Sequence, residues 1–147
     1  MGSAVSEPRC KAILLCDQTI FEAGTGKVSL IGTFSVFHLP MIPGQTSRAE
    51  AFCQITDAEG RYEIKVEIHD LRDGNIIARA IGPDVEISSR LIRANVIVPI
   101  PPLPMSHEGQ YDFVIFANGK EIDRQQFAVR KFPSLPGEAK NHDSSDA

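Results

Sequence analysis

The sequence predicts an all-β protein: a single antiparallel two-sheet β-sandwich, immunoglobulin-like, of about eight strands, with a small β-barrel as the alternative. Three features carry that expectation. Residues 109–130 alternate apolar and polar positions on both sides of Asn118-Gly119, the pattern of a hairpin with one buried face. Over Arg61–His69, Tyr62, Ile64, Val66 and Ile68 alternate with Arg61, Glu63, Lys65 and Glu67, so one face meets a core and the other meets water. Turn signals recur at about 8–12 residues and no helical periodicity lasts three turns, which is the spacing of a sandwich or barrel.

The elements follow in order. Residues 1–9 are small and polar and are expected to be disordered. Residues 10–16 form a first strand, and Asp17–Lys27, with Gly24 and Gly26, a loop with room for one helical turn at 18–22. Val28–Leu39 is rich in β-branched and aromatic residues, with a bulge or bend expected at Gly32 and an end at Pro40 and Pro43. After the loop Met41–Ser47 come a strand at Ala49–Thr56, a turn at 57–60, the alternating strand, and a turn at 70–75. Ile76–Ile81 reads as a short strand broken by Gly82-Pro83, followed by Val85–Ser88 and a longer strand over Leu91–Ile100. The sandwich domain is thus expected over 10–132, with a disordered tail over 133–147 made of Pro, Gly, Ser and charge. Gly109-x-Tyr111 at a strand start matches the tyrosine corner of immunoglobulin-like domains, with plain core lining as the competing role for Tyr111.

At 147 residues, 42% hydrophobic and 23% charged, the chain has the size and composition of one soluble domain. Its net charge is −4, and half of that excess sits in the tail, where Glu138, Asp143 and Asp146 outnumber Lys140. No basic stripe interleaves with aromatics, which argues against a nucleic-acid partner. No apolar run approaches the roughly 18 residues needed to cross a bilayer, so a membrane partner is not expected and a cytoplasmic location is. Three cysteines fit that compartment better than a disulfide framework. Cys10 and Cys16 on one strand would lie about 20 Å apart and cannot bridge each other. Cys53 could meet either only through the fold.

Ala12-Ile13-Leu14-Leu15-Cys16-Asp17 followed by Gly26-Lys27-Val28-Ser29-Leu30-Ile31-Gly32-Thr33-Phe34 resembles the opening of a group of bacterial domains of unknown function. Gly109-x-Tyr111-x-Phe113 and the Asn118-Gly119 hairpin are similar to the end of the same group. The resemblance spans residues 10–130. It implies a small bacterial β-sandwich and no particular activity.

No catalytic, cofactor or metal residue is assigned from the sequence. The acidic turns Asp57/Glu59 and Asp70/Asp73 are separated by a strand close to 30 Å long, so they cannot share one ion, and turn chemistry accounts for both. Cys16-Asp17-Gln18 could hold a nucleophilic thiol served by His38, His69 or His107, but Asp17 works against a lowered thiol pKa. A buried thiol followed by a capping Asp is the better account. His38, His69, His107 and His142 lack zinc-ligand spacing, and a His38–Cys53–His69 cluster has nothing to motivate it. Pro99–Pro104 contains overlapping P-x-x-P patterns but is placed as a stiff crossover. Gly24-Thr25-Gly26-Lys27 fails the phosphate-loop pattern, because Val28 follows and a strand, not a helix, comes next.

The expected function is therefore a non-enzymatic module for protein–protein interaction or self-association, with an unknown protein partner or a homodimer and no cofactor. The longest loops, 17–27, 40–48 and 99–108, are its expected contact surface. One alternative is a small-ligand or metal-dependent enzyme using Cys16, Asp17 and a histidine. Another is a carbohydrate- or peptide-binding accessory module, disfavoured by the absence of Trp and the core placement of Tyr62 and Tyr111.

Overall fold

The computed structural model describes residues 7–133. The disordered segments expected over 1–9 and 133–147 lie outside it except at their inner ends, and Arg9 is already in a strand. Eleven strands are present among the described residues: β1 (Arg9–Phe21), β2 (Val28–Phe34), β3 (Val36–Leu39), β4 (Gly44–Gln45), β5 (Ala49–Thr56), β6 (Gly60–Asp70), β7 (Ile76–Ile87), β8 (Ala94–Ile100), β9 (Pro104–Met105), β10 (Gly109–Ala117) and β11 (Lys120–Lys131). One sheet has the order β2-β1-β5-β8, the other β3-β11-β10-β6-β7, and β4 and β9 pair as a two-stranded strip. The surplus over eight strands comes from β3, β4 and β9, each four residues or fewer.

The core lies between the two large sheets. Ile13, Leu15, Ala51, Cys53, Ile55, Val96 and Val98 face inward from the first; Ile64, Val66, Phe113, Ile115, Phe127 and Val129 face them from the second. Period-two patterning produces this directly, since every second side chain of a strand falls on one face. The β6 alternation and the β10–β11 hairpin form as expected, with Asn118 (φ 51°) and Gly119 (φ 82°) both left-handed in the turn. All pairings are antiparallel except one: β3 runs parallel to the end of β11.

Several boundaries differ from expectation, each for a local reason. The loop expected from Asp17 is strand as far as Phe21, with no helical turn, because Gln18, Thr19, Ile20 and Phe21 pair with Ser29–Ile31 and Val28 of β2. Only Glu22–Lys27 turns, closed by Glu22 N–H to Lys27 O at 2.8 Å. The stretch Val28–Leu39 is two strands, not one: it leaves the first sheet after Phe34 and enters the second at Val36. Gly82-Pro83 does not break β7. β7 is an edge strand, so Pro83 forfeits no required pairing, and the two residues bulge opposite Ile64. A Cβ on Gly82 would press on Ile64 and Val98 at 3.1–3.2 Å, so a larger residue there would require those neighbours to shift. The strand expected from Leu91 starts at Ala94, and Leu91 is left 94% exposed.

Gly32 is not a bulge either. The β1–β2 register continues unshifted across it, from Cys16↔Thr33 to Gln18↔Ile31. It has a left-handed φ of 69°, and the Asp17 side chain occupies the space a Cβ would need. Gly32→Ala should therefore cost about 1–2 kcal/mol from the backbone alone, with a further loss from collision. Adding Asp17→Ala should restore the collision part only. Denaturant midpoints of the two variants that coincide would show that Asp17 imposes nothing on this position.

Candidate functional site

The notable polar cluster sits where the turn after β6 meets the start of β10. Asp70 ends β6 on the inward-facing period, and its side chain is only 6% exposed. Its Oδ1 accepts the Arg72 N–H at 2.9 Å, and Asp73 accepts Asn75 N–H in the same way, so this turn consumes its carboxylates on backbone amides. The other Asp70 oxygen, Oδ2, accepts a 2.6 Å hydrogen bond from His107 Nε2. His107 Nδ1 lies 2.6 Å from the Glu108 carbonyl. Both ring nitrogens thus face acceptors, an arrangement satisfied by the doubly protonated imidazolium.

The electrostatics agree. The hydrogen bond to Asp70, then that to the Glu108 carbonyl, raise the His107 pKa above its usual 6.5. Burial pushes Asp70 up, but the bonds from His107 and the Arg72 amide outweigh it and hold the carboxyl below its usual 3.8. Tyr111 completes the group. Its hydroxyl donates to the His107 carbonyl at 2.8 Å, four residues back, and its ring stacks between His107 and Phe127. This is the tyrosine corner that Gly109-x-Tyr111 suggested. Two residues further on, where antibody domains place the second cysteine of their inter-sheet disulfide, Phe113 fills the core with no exposure.

The cluster is packed: the side chains of Asp70 and His107 are 6% and 19% exposed, and Tyr111 is 1% exposed. An ion pair and a phenol fasten the β9–β10 connection to the end of β6. Sequence reading did not find the Asp70–His107 pair, because the partners lie 37 residues apart and neither stands in a motif.

The other candidates disperse. Cys16 has no exposure and its thiol donates to the Glu50 carbonyl at 3.6 Å. Burial raises its pKa, with the Glu50 and Asp17 charges adding to the effect. Asp17 borders two clefts, of about 560 and 250 Å³, and shares the smaller with His38. His38 stacks on Phe132 at 5.7 Å. His69 lies on the outer face of its sheet, 2.9 Å from Glu67, whereas Cys53 is in the core, so no His38–Cys53–His69 cluster forms. His142 lies outside the described residues.

Asp57 takes a left-handed φ of 59° in its turn, at the opposite end of β6 from Asp70. Of the expected contact loops, 40–48 and 99–108 are tied to each other. β4 pairs β9, Thr46 N–H donates to Leu103 O at 2.9 Å, and Leu103 N–H returns a bond to Thr46 Oγ1 at 2.8 Å. Leu103 and Met105 are buried, so the proline-rich run is a packed crossover.

One sheet edge, β2, extends past the body of its sheet. Pairing of β1 with β5 ends at Cys16↔Glu50, but β1 continues to Phe21 with only β2 beside it. Glu50 Oε1 anchors the base of this ribbon by accepting Thr19 N–H and Oγ1–H at 2.6 and 2.7 Å. Beyond that base Ile20 and Phe21 are 45% and 63% exposed, and Ile31, opposite Gln18 just before it, is 46% exposed. The free strand, Val28–Phe34, has neither a charge nor a proline.

A family model described as a family of unknown function (DUF6941) matches residues 11–130. Among solved structures, the alkylpurine DNA glycosylase AlkC of Pseudomonas fluorescens, bound to DNA containing an abasic site analogue, superposes with a TM-score of 0.55 at 10% identity. The match covers 85% of this chain and 31% of the glycosylase, so the chain spans under a third of that protein's length. An immunoglobulin-like protein from Pseudomonas aeruginosa gives a TM-score of 0.40 at 14% identity, covering 87% of this chain and all of the other. No curated protein matches the chain.

Proposed function

The chain belongs to the DUF6941 family of unknown function, and from that premise we propose that it is a non-enzymatic β-sandwich module that self-associates through the open edge of β2. The observation that carries this is the contrast between β2 and the other edges. Natural sheets guard their edges with charge, proline, bulges or short length. β7 has the Gly82-Pro83 bulge with Arg79, Asp84 and Glu86, β8 has Pro99 and passes close to β7, and β3 is four residues long. β2 has none of these devices, and it lies on a two-stranded ribbon whose apolar side chains remain in water. An isolated ribbon of this kind is marginally stable, so a third strand would benefit it. Antiparallel pairing of β2 with β2 of a second copy is self-complementary and closes as a two-fold dimer.

The inaccessibility of Cys16 weighs against an enzyme that would use Cys16, Asp17 and a histidine. The DNA named with the glycosylase is not carried over, since this chain is acidic and corresponds to 31% of that protein.

Sedimentation equilibrium tests the proposal. The expected result is a dimer whose dissociation constant rises at least tenfold, about 1.4 kcal/mol, in an Ile31→Lys, Thr33→Lys variant that remains folded. A wild-type chain that stays monomeric at the highest soluble concentration would refute self-association through this edge.

A further inference from the structure

Cys10 and Cys53 come together at the other end of β1, away from the open ribbon. Cys10 is opposite Ile55 in the β1–β5 register, and Cys53 is the next inward-facing residue of β5. The register shift between Cys10 and Ala12 falls between them and locally bends β1. The Cys10 thiol is part-buried and lies 3.3 Å from the Ala12 carbonyl, while Cys53 is fully buried. Cys10 also lines a cleft of about 550 Å³ with Arg9, Lys120, Ile122 and Asp123. Solvent thus reaches one sulfur of the pair, and the second stands behind it.

We propose that Cys10 and Cys53 form a redox-active dithiol, with Cys10 as the sulfur that meets a small peroxide in this cleft and Cys53 as the sulfur that resolves it. The Cys10 thiolate attacks one peroxide oxygen. The O–O bond breaks, an S–O bond forms, and hydroxide leaves to become water with the proton Cys10 has lost. Cys53 sulfur then attacks the sulfenic sulfur. The S–O bond breaks, the S–S bond forms, and the departing hydroxide takes the Cys53 proton as a second water. Two thiols lose two electrons and hydrogen peroxide gains them. Division of labour follows from environment. Its contact with Cys10 and its burial hold Cys53 well above the usual thiol range, whereas Cys10 is part-buried beside the cleft. The cleft is lined by the cations Arg9 and Lys120, the latter ion-paired with Glu7 at 2.7 Å, and by the acids Glu7, Glu121 and Asp123.

The test uses the full chain, hydrogen peroxide and intact-mass and peptide-mass spectrometry under non-reducing conditions. The expected product has lost two hydrogens, contains a Cys10–Cys53 linked peptide, leaves Cys16 alkylatable after unfolding, and returns to the starting mass with dithiothreitol. Cys16→Ala should behave identically. Cys53→Ala, a small apolar replacement suited to a buried site, should lose the disulfide and accumulate a sulfenic acid on Cys10 that dimedone traps. Oxidation falling first on Cys16, or Cys10 passing to sulfinic acid in the wild-type chain without the linked peptide, would overturn the proposal. So would three thiols that all survive peroxide exposure sufficient to oxidise free cysteine.

Discussion

Asp70→Ala should destabilise the fold by about 3 kcal/mol near pH 5 to 6. Removing the carboxylate strands His107 in a site that is 19% exposed and takes away the acceptor of the Arg72 amide. The effect should depend on pH in a defined direction. His107 titrates above 6.5 when folded, so its contribution is complete below the unfolded value and fades as pH rises through the folded one. Asp70 titrates below 3.8 when folded, so its contribution is complete above 3.8 and fades as pH falls through the folded value. The ion pair is therefore fully expressed between 3.8 and 6.5. Well above that window, where His107 is neutral in both states, the cost of Asp70→Ala should shrink to that of the bonds its carboxylate still accepts from uncharged donors, about 2 kcal/mol. Urea unfolding of wild type and variant at both pH values measures this, and an equal cost at each would show that the pair contributes no charge-dependent stability.

Tyr111→Ala should be the more damaging change, at about 4 kcal/mol, because a fully buried aromatic ring is lost from between His107 and Phe127. Tyr111→Phe isolates the corner itself. It keeps the ring and removes only the bond to the His107 carbonyl, and should cost about 1 kcal/mol. Since Tyr111 and Asp70 both act on His107, their effects should not add, with a coupling of about 0.5–1 kcal/mol in the double variant Tyr111→Phe, Asp70→Ala. Additive losses would mean that the phenol and the carboxylate secure the β9–β10 connection independently.

Arg124 illustrates a different kind of polar order. It forks onto Glu121 at 2.8 and 2.9 Å and reaches Asp112 at 3.0 Å on the outer face of the five-stranded sheet. Those bonds raise its already high pKa further, Glu121 first and Asp112 second. In the ladder Val114 stands between Glu67 and Arg124 and has no exposure, although it faces away from the core. Long charged side chains on neighbouring strands can shield an apolar residue in this way. Thus β10 reads as a continuous buried run from Tyr111 to Ile115, where a half-buried strand would alternate.

Local pattern pointed to the all-β class, the inward face of β6, the Asn118-Gly119 hairpin and the burial of Cys16, and it left Tyr111 open between a tyrosine corner and plain core lining, which the bond to the His107 carbonyl resolves. Each depends on side-chain period, turn stereochemistry or a motif a few residues long, all of which are legible in a short window of the chain. Tertiary structure decided the rest. Whether Gly82-Pro83 ends a strand or bulges within it depends on β7 lying at a sheet edge. Whether Val28–Leu39 is one strand or two depends on which sheet has room at Ser35. The pairing of His107 with Asp70, and the placing of Cys10 and Cys53 on neighbouring strands of one sheet, depend on strand order and register, which bring distant segments together. Those placements minimise exposed apolar area and unpaired backbone over the whole molecule at once, and no window of neighbouring residues contains that information.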